Sequence, residues 1–224
     1  TCNNNMCGII ALFGQEVDVS SYLLTHRGPD DYSTRTSGKC RMDFYRLSIN
    51  DLTPAGMQPF KDDNSMLICN GEIYNHKKFR TGAEKSTSDC EILMPLIKDV
   101  GIMKAVDMIN GDFAFVYTDG KQVLAARDPV GVRPLFYTRY AQGSIAFASE
   151  VKALLFLNSD IHIFPPGHIY DSYIDGFVCY HTGYWGINKY LETDNSKEIR
   201  ETFEQAVHER LATTDREIGF LLSG

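Results

Sequence analysis

The sequence contains no Cys-x-x-Cys pair, no His-Glu-x-x-His and no Asn-x-Ser/Thr glycan acceptor in its 224 residues. The first two absences remove the usual ligand spacings of a zinc site, so no metal centre is expected. The six cysteines are few and scattered for a chain of this size, which argues against a disulfide framework. Reduced thiols, mostly buried as small hydrophobes in a cytoplasmic protein, are the plainer expectation. Long apolar runs are also lacking. A stretch such as 153–157 falls far short of the roughly 20 residues a membrane helix takes, so no membrane partner is expected. The first five residues are polar, and no secretory signal is visible. Excess positive charge is absent as well: the net charge of −7 gives no electrostatic reason to expect nucleic acid or an anionic membrane surface.

What is present suffices for a globular core. Hydrophobic residues make up 43% of the chain, and its length allows one large domain or two small ones. Residues 7–13 form a short apolar run closed by Gly14, the pattern of a buried strand. Residues 20–25 read as a short helix stopped by Gly28-Pro29-Asp30. Residues 42–49 and 66–69 read as further strands. Ser88 is placed to cap a helix whose apolar stripe is Ile92, Leu93, Leu96 and Ile97, with Asp89 and Glu91 at its positive end and Gly101 at its close. Then follow strand pairs: 113–117 with 122–126 across Asp119-Gly120, 135–140 with 144–148, and 169–173 with 177–181 across Asp175-Gly176. Residues 151–157 read as a short helix between them. Many antiparallel strands and few helices predict an α+β class of layered sheets covered by helices. Beyond Trp185 the composition turns polar, then residues 197–211 form a charged amphipathic helix with Ile199, Phe203, Val207 and Leu211 on one stripe.

Four constellations are able to carry chemistry. Cys7 precedes a Gly and a buried strand. As a first residue it would have its own α-amine as base, with an ordinary pKa of about 7.7–8.0. In Asn70-Gly71-Glu72-Ile73-Tyr74-Asn75 a side-chain amide and a glycine N–H could converge on one developing oxyanion at a strand end. Arg46, in Arg46-Leu47-Ser48-Ile49, offers a fork that matches a carboxylate. Asp89 could hold an ammonium group or merely favour its helix N-terminus. Taken singly, each has a plain structural reading: strand cysteine, Asn-Gly turn, surface ion pair, helix-end charge. Ser149-x-x-Lys152 is a short match to a serine nucleophile pattern, and no partner motif accompanies it.

Their order along the chain is more specific. Met6-Cys7-Gly8-Ile9-Ile10, His26-Arg27-Gly28-Pro29-Asp30, Arg46-Leu47-Ser48-Ile49, Asn70-Gly71-Glu72-Ile73-Tyr74-Asn75, Ser88-Asp89-Cys90-Glu91, Gly111-Asp112-Phe113-Ala114-Phe115, the stretch from Arg127-Asp128-Pro129 to Leu135-Phe136-Tyr137, Ser149-Glu150-Val151-Lys152 and Phe164-Pro165-Pro166-Gly167 follow one another as in class II glutamine amidotransferases. The form of the arginine motif resembles the glutaminase half of glutamine-hydrolysing asparagine synthetases. This resemblance implies a four-layer αββα sandwich of the N-terminal nucleophile hydrolase type over residues 7–186, with residues 1–6 as a leader. It implies glutamine as substrate, Cys7 as nucleophile and Asn70 with Gly71 as oxyanion donors. Arg46, Leu47, Ser48, Ile49, Asn50, Glu72 and Asp89 complete the glutamine pocket. No cofactor is implied for that half.

Residues 187–224 would be a linker helix and the truncated start of an ATP-using synthetase domain, joined in cis. Leu221, Ser223 and Gly224 would stand at its ATP side, and ATP and Mg²⁺ would serve that missing half in amidating aspartate to asparagine. A homodimer is compatible with the resemblance. Two features depart from the family pattern: Thr1 to Met6 precede Cys7, and the connection over 80–87 is short. A β-lactam synthetase-like relative and an inactive interaction module are the rival readings.

Overall fold

In a computed structural model, which describes residues 6–20, 22–182 and 196–220, two six-stranded antiparallel sheets lie face to face. The first sheet holds β1 (Gly8–Phe13), β2 (Asp31–Ser37), β3 (Cys40–Arg46), β8 (Phe136–Tyr140), β9 (Ser144–Ala148) and β10 (Ile161–Ile163), in the order β10-β8-β9-β1-β3-β2. The second holds β4 (Phe60–Asp62), β5 (Ser65–Ile73), β6 (Gly111–Thr118), β7 (Val123–Arg127), β11 (His168–Asp171) and β12 (Gly176–Cys179), in the order β12-β11-β7-β6-β5-β4.

Side chains alternate along each strand between two buried faces. From β1, Ile9 and Ala11 enter the space between the sheets, while Ile10 and Leu12 face outward. From β5, Met66 and Ile68 point inward, and Leu67, Cys69 and Ile73 point outward. On β6 the inward pair is Ala114 and Val116, and the outward set is Phe113, Phe115 and Tyr117. Strands covered on both faces read as continuous apolar runs, which is why these were legible from sequence.

The outer face of the second sheet is covered by α1 (Leu93–Val100) and α2 (Ile102–Met108). They meet at Gly101, whose φ of +79° lets the chain turn without steric cost. The outer face of the first sheet is covered by turns and by two 3₁₀ turns, Val151–Ala153 and Leu155–Leu157, which bury Leu24, Ala153 and Leu154. The layered α+β sandwich is therefore present, with α-helix on one outer face and tighter turns on the other.

Several local expectations need correction. Residues 22–27 form turns rather than a helix, because one apolar anchor, Leu24, plugs the core while Tyr22 is left exposed. Residues 151–157 are likewise 3₁₀ turns. The helix expected at Ser88 begins as a 3₁₀ turn over Asp89–Ile92, and the Ser88 side chain makes no capping bond. The strand expected over 42–49 stops at Arg46, and the one expected to end at Cys69 runs on to Ile73, so the Asn-Gly motif lies inside a strand. The third hairpin closes two residues early, at Asp171. Polar β2, short β4 and β10, and α2 carry no clear apolar period and escape a reading by pattern. The final helix, α3 (Ser196–Leu211), forms as expected, yet Ile199 and Phe203 on its stripe are about two-thirds exposed. Among the described residues Cys7, Cys40, Cys69, Cys90 and Cys179 are free thiols, and no helix is long and apolar enough to cross a membrane. Leu221, Ser223 and Gly224, the 1–5 part of the leader and most of the 187–196 stretch lie outside the described residues.

Candidate active site

At one end of the sandwich β1 begins, β3 ends and β5 passes its Asn-Gly motif. Register explains the meeting, since Gly8 pairs with Tyr45 across β1 and β3. Cys7 and Arg46 are the next residues out along these two strands. Cys7, Arg46, Leu47, Ile49, Asn50, Gly71, Glu72 and Asp89 line one narrow cleft there, joined by Gln58, Cys69, Ser88 and Cys90. Eight residues proposed from sequence thus converge.

Cys7 is held from both sides. Its sulfur accepts a hydrogen bond from the Leu47 N–H at 3.3 Å and its S–H is 3.3 Å from the Leu47 carbonyl. Its own carbonyl accepts the Arg27 Nε–H at 3.1 Å, and Arg27 is fixed in turn by Glu150 at 3.1 Å. Burial pushes the thiol up to about 11, against the opposing pull of the Leu47 N–H. A thiol in this setting stays protonated at neutral pH and needs a base.

On β5 the outer edge beyond Leu67 is not paired with a strand. Side chains occupy it: Gln58 Oε1 accepts the Cys69 N–H at 2.6 Å, and Asp89 Oδ2 accepts the Ile73 N–H at 2.6 Å. Gly71 stands midway between them, so the alternation of the strand aims its N–H at the same edge. A Cβ at Gly71 would lie 2.3 Å from the Asp112 carbonyl oxygen, and the close approach of β6 explains why glycine is needed. Asn70, one step earlier, does not line the cleft. It is buried on the inward side, and its Nδ2 has no hydrogen-bond partner. Cys7 packs against that same interior.

Unpartnered buried donors concentrate here. Among the described residues four buried side-chain atoms lack a partner, and three belong to Arg27, Asn70 and Arg133. Arg133, which sequence reasoning did not single out, pairs with Glu72 at 3.2 Å and donates to the Met6 Sδ at 2.5 Å. Arg27 and Arg133 both lie inside the ordered motifs, and that membership is their only sequence signal. Burial raises the carboxyls of Glu72 and Asp89 above their usual range. Arg133 opposes this at Glu72, and the Ile73 N–H and Asn50 oppose it at Asp89.

Arg46 is placed at the cleft, but its guanidinium also donates to the Thr53 carbonyl at 2.8 Å and to the Asp51 carbonyl. It closes the 47–53 loop from inside. Ser48 turns away: its N–H donates to Asp30 and its carbonyl accepts from Arg216. The short connection over 80–87 is tied down by Arg80, which donates to the carbonyls of Ser86, Thr87 and Ser88. Ser149 and Lys152 do not act together. The Ser149 hydroxyl accepts the Ile9 N–H at 3.0 Å, and Lys152 pairs with Glu150. Among the described residues no group of His, Cys, Asp and Glu could hold a metal ion.

Comparison with known proteins fits this picture. The model of the glutamine amidotransferase domain family matches residues 6–164. A glutamine-hydrolysing asparagine synthetase of Zea mays is 37% identical over 237 residues, and a probable one of Dictyostelium discoideum is 39% identical over 246. Both alignments cover 98% of this chain, which spans 40% and 43% of those relatives. Among solved structures, the glutamine phosphoribosylpyrophosphate amidotransferase from B. subtilis, complexed with ADP and GMP, superposes with a TM-score of 0.63 at 20% identity. That match covers 79% of this chain and 50% of the other, and it speaks to the fold alone.

Proposed function

Since the chain belongs to the glutamine amidotransferase domain family, we propose that it hydrolyses glutamine to glutamate and ammonia, with Cys7 as the nucleophile. The observation that carries this is the buried, unpartnered Asn70 Nδ2, on the residue between Cys69 and Gly71, which line the cleft with Cys7. An unpaired buried donor costs about 1–3 kcal/mol, and a developing oxyanion would satisfy it.

In this reading residues 1–6 are removed and the freed Cys7 amine takes the thiol proton. The thiolate attacks the side-chain carbonyl carbon of glutamine, while Asn70 Nδ2 and the Gly71 N–H receive the negative charge on its oxygen. The C–N bond breaks, the amine returns its proton, and ammonia leaves. Water then attacks the γ-glutamyl thioester, releasing glutamate and restoring the thiol. Arg46 takes the substrate α-carboxylate by giving up a loop carbonyl, and Asp89 with Glu72 receives the α-ammonium. Leu47, Ser48, Ile49 and Asn50 form the wall, Ser48 through its backbone. The cleft has about 40 Å³ of free space, room for water rather than glutamine, so the Arg46 guanidinium and the side chains of the wall swing aside to admit substrate while the 47–51 backbone keeps its place.

The relatives' names extend the proposal. Ammonia would serve the ATP- and Mg²⁺-dependent amidation of aspartate to asparagine in a second domain in cis, for which residues 187–224, with Leu221, Ser223 and Gly224, would be the entry. The glutaminase step itself uses no cofactor. A cytoplasmic setting and a homodimer belong to the same proposal, and sedimentation reads the latter. A second reading is favoured by Met6, whose sulfur sits on Arg133 beside an amide-capped Cys7: with residues 1–6 retained the site is dormant. Mass spectrometry of acid-quenched reactions with glutamine distinguishes the two. A γ-glutamyl adduct on Cys7 is expected when the chain starts at Cys7. Its absence there, with no glutamate formed, would remove the glutaminase reading.

A further inference from the structure

The wall of the glutamine pocket is gripped from outside by a segment more than 160 residues away in sequence. The 47–51 loop has Cys7 and the Arg46 guanidinium on its inner side. On its outer side the Asp51 N–H donates to Asp215 Oδ2 at 2.8 Å, and the Ile49 carbonyl accepts the Asp215 N–H at 3.1 Å. The Ser48 carbonyl accepts Arg216 Nε at 2.8 Å. Arg216 also lies 3.7 Å from Asp30, whose carboxylate accepts the Ser48 N–H at 2.8 Å. Three polar backbone groups of the loop that water would otherwise bind, on Ser48, Ile49 and Asp51, are therefore held by two adjacent residues. Asp51 itself has a φ of +49°, uncommon outside glycine, and its carboxylate accepts the Thr53 N–H at 3.0 Å within the same loop.

The gripping segment is anchored to the opposite wall as well. The Ala212 carbonyl accepts Lys77 Nζ at 3.2 Å, Glu209 accepts from Asn110 at 2.6 Å, and Arg210 pairs with Asp112 at 3.4 Å. The Arg210 guanidinium also stacks 4.5 Å from the centre of the Tyr74 ring, in the last part of the Asn-Gly motif. One short stretch thus spans both sides of the cleft mouth, without any of its side chains lining the cleft.

We propose that residues 209–216 are a strap that sets the closed position of the glutamine pocket, with Asp215 and Arg216 as positioning residues for the 47–51 loop. The inference rests on the glutaminase reading and deepens it. Glutamine binds the closed arrangement, in which Leu47 faces the sulfur and Ile49 and Asn50 form the wall. Loosening the strap lowers the population of that arrangement and weakens apparent affinity by the same factor.

The test measures glutamine binding by calorimetry in the chain beginning at position 7 and carrying Cys7→Ser, which keeps a hydrogen-bonding group at Leu47. Asp215→Ala and Arg216→Ala should each weaken binding roughly fivefold to tenfold, as expected for one lost hydrogen bond at the surface. Asp215→Asn, which retains an acceptor for the Asp51 N–H, should remain within about twofold. Amide exchange at Asp51 should quicken in Asp215→Ala and stay slow in Asp215→Asn. Parent-like binding in both alanine variants overturns the strap alone. Failure of the parent itself to bind glutamine overturns the glutaminase reading, and the strap with it. A fall in binding with unchanged Asp51 exchange also rejects the strap, because the effect would then bypass the loop.

Discussion

Strands β1, β3 and β5 each serve two regions of the molecule. Between the sheets they contribute Ile9, Phe44, Met66 and Ile68, all at most 1% exposed and packed in one cluster. At the end of the same strands stand Cys7, Arg46, Asn70 and Glu72, where buried polar atoms lack partners and burial lifts thiol and carboxyl pKa values. Between the sheets the side chains are apolar and packed on one another, whereas the strand ends hold buried polar groups without partners. That difference is what a site for an absent ligand leaves in a folded chain, because polar atoms are kept ready for a partner the protein does not supply.

The contrast predicts that stability and activity separate by region. Phe147 is fully buried between the sheets against Phe164 and Tyr170. Phe147→Ala should cost about 3–5 kcal/mol in urea unfolding, the range for a large-to-small core change. Asn70→Ala should do the reverse. Its Nδ2 has no bond to lose, so the stability cost stays below about 1 kcal/mol, while kcat for glutamine falls by roughly 10²–10³. Equal losses of stability in the two variants would erase the distinction between the regions.

Asp89 sharpens the contrast through pH. Its carboxyl is raised by burial, so the folded state holds its proton more tightly than the unfolded chain does. Its favourable contribution is complete below the ordinary carboxylate range and is lost as pH rises through the raised folded value. At neutral pH the charge opposes folding. Asp89→Asn, which keeps an acceptor for the Ile73 N–H, should leave stability at pH 7 unchanged or higher and flatten its decline from pH 4 upward. Glutamine affinity should fall by about tenfold. Destabilisation at pH 7 with intact affinity would make Asp89 a structural residue.

Much of the fold was readable because its central strands are buried on both faces. β1, β6, β7 and β9 appear as apolar runs, and Asp119-Gly120 marks the β6–β7 turn. The Asp31–Ser37 strand was not readable. It lies at a sheet edge, and its Asp-Tyr-Ser-Thr-Arg-Thr-Ser sequence has no apolar face. The site was legible as motifs rather than as geometry. Sequence order brought out Cys7, Arg46, Gly71 and Asp89, but nothing local shows that Leu47 leaves its strand to hold the Cys7 sulfur, or that Asn70 points inward. Asp215 and Arg216 gave no signal at all. Their partners are backbone atoms on a distant loop, and backbone atoms leave no side-chain pattern to read.

The central claim, that Cys7 is a nucleophile activated by its own amine, is tested most directly by glutamate release at neutral pH from three proteins. These are the chain beginning at Cys7, the same chain with Cys7→Ser, and the chain retaining residues 1–6. The account predicts steady glutamine hydrolysis by the first and loss of it by several orders of magnitude in the other two. Equal rates in all three would contradict it.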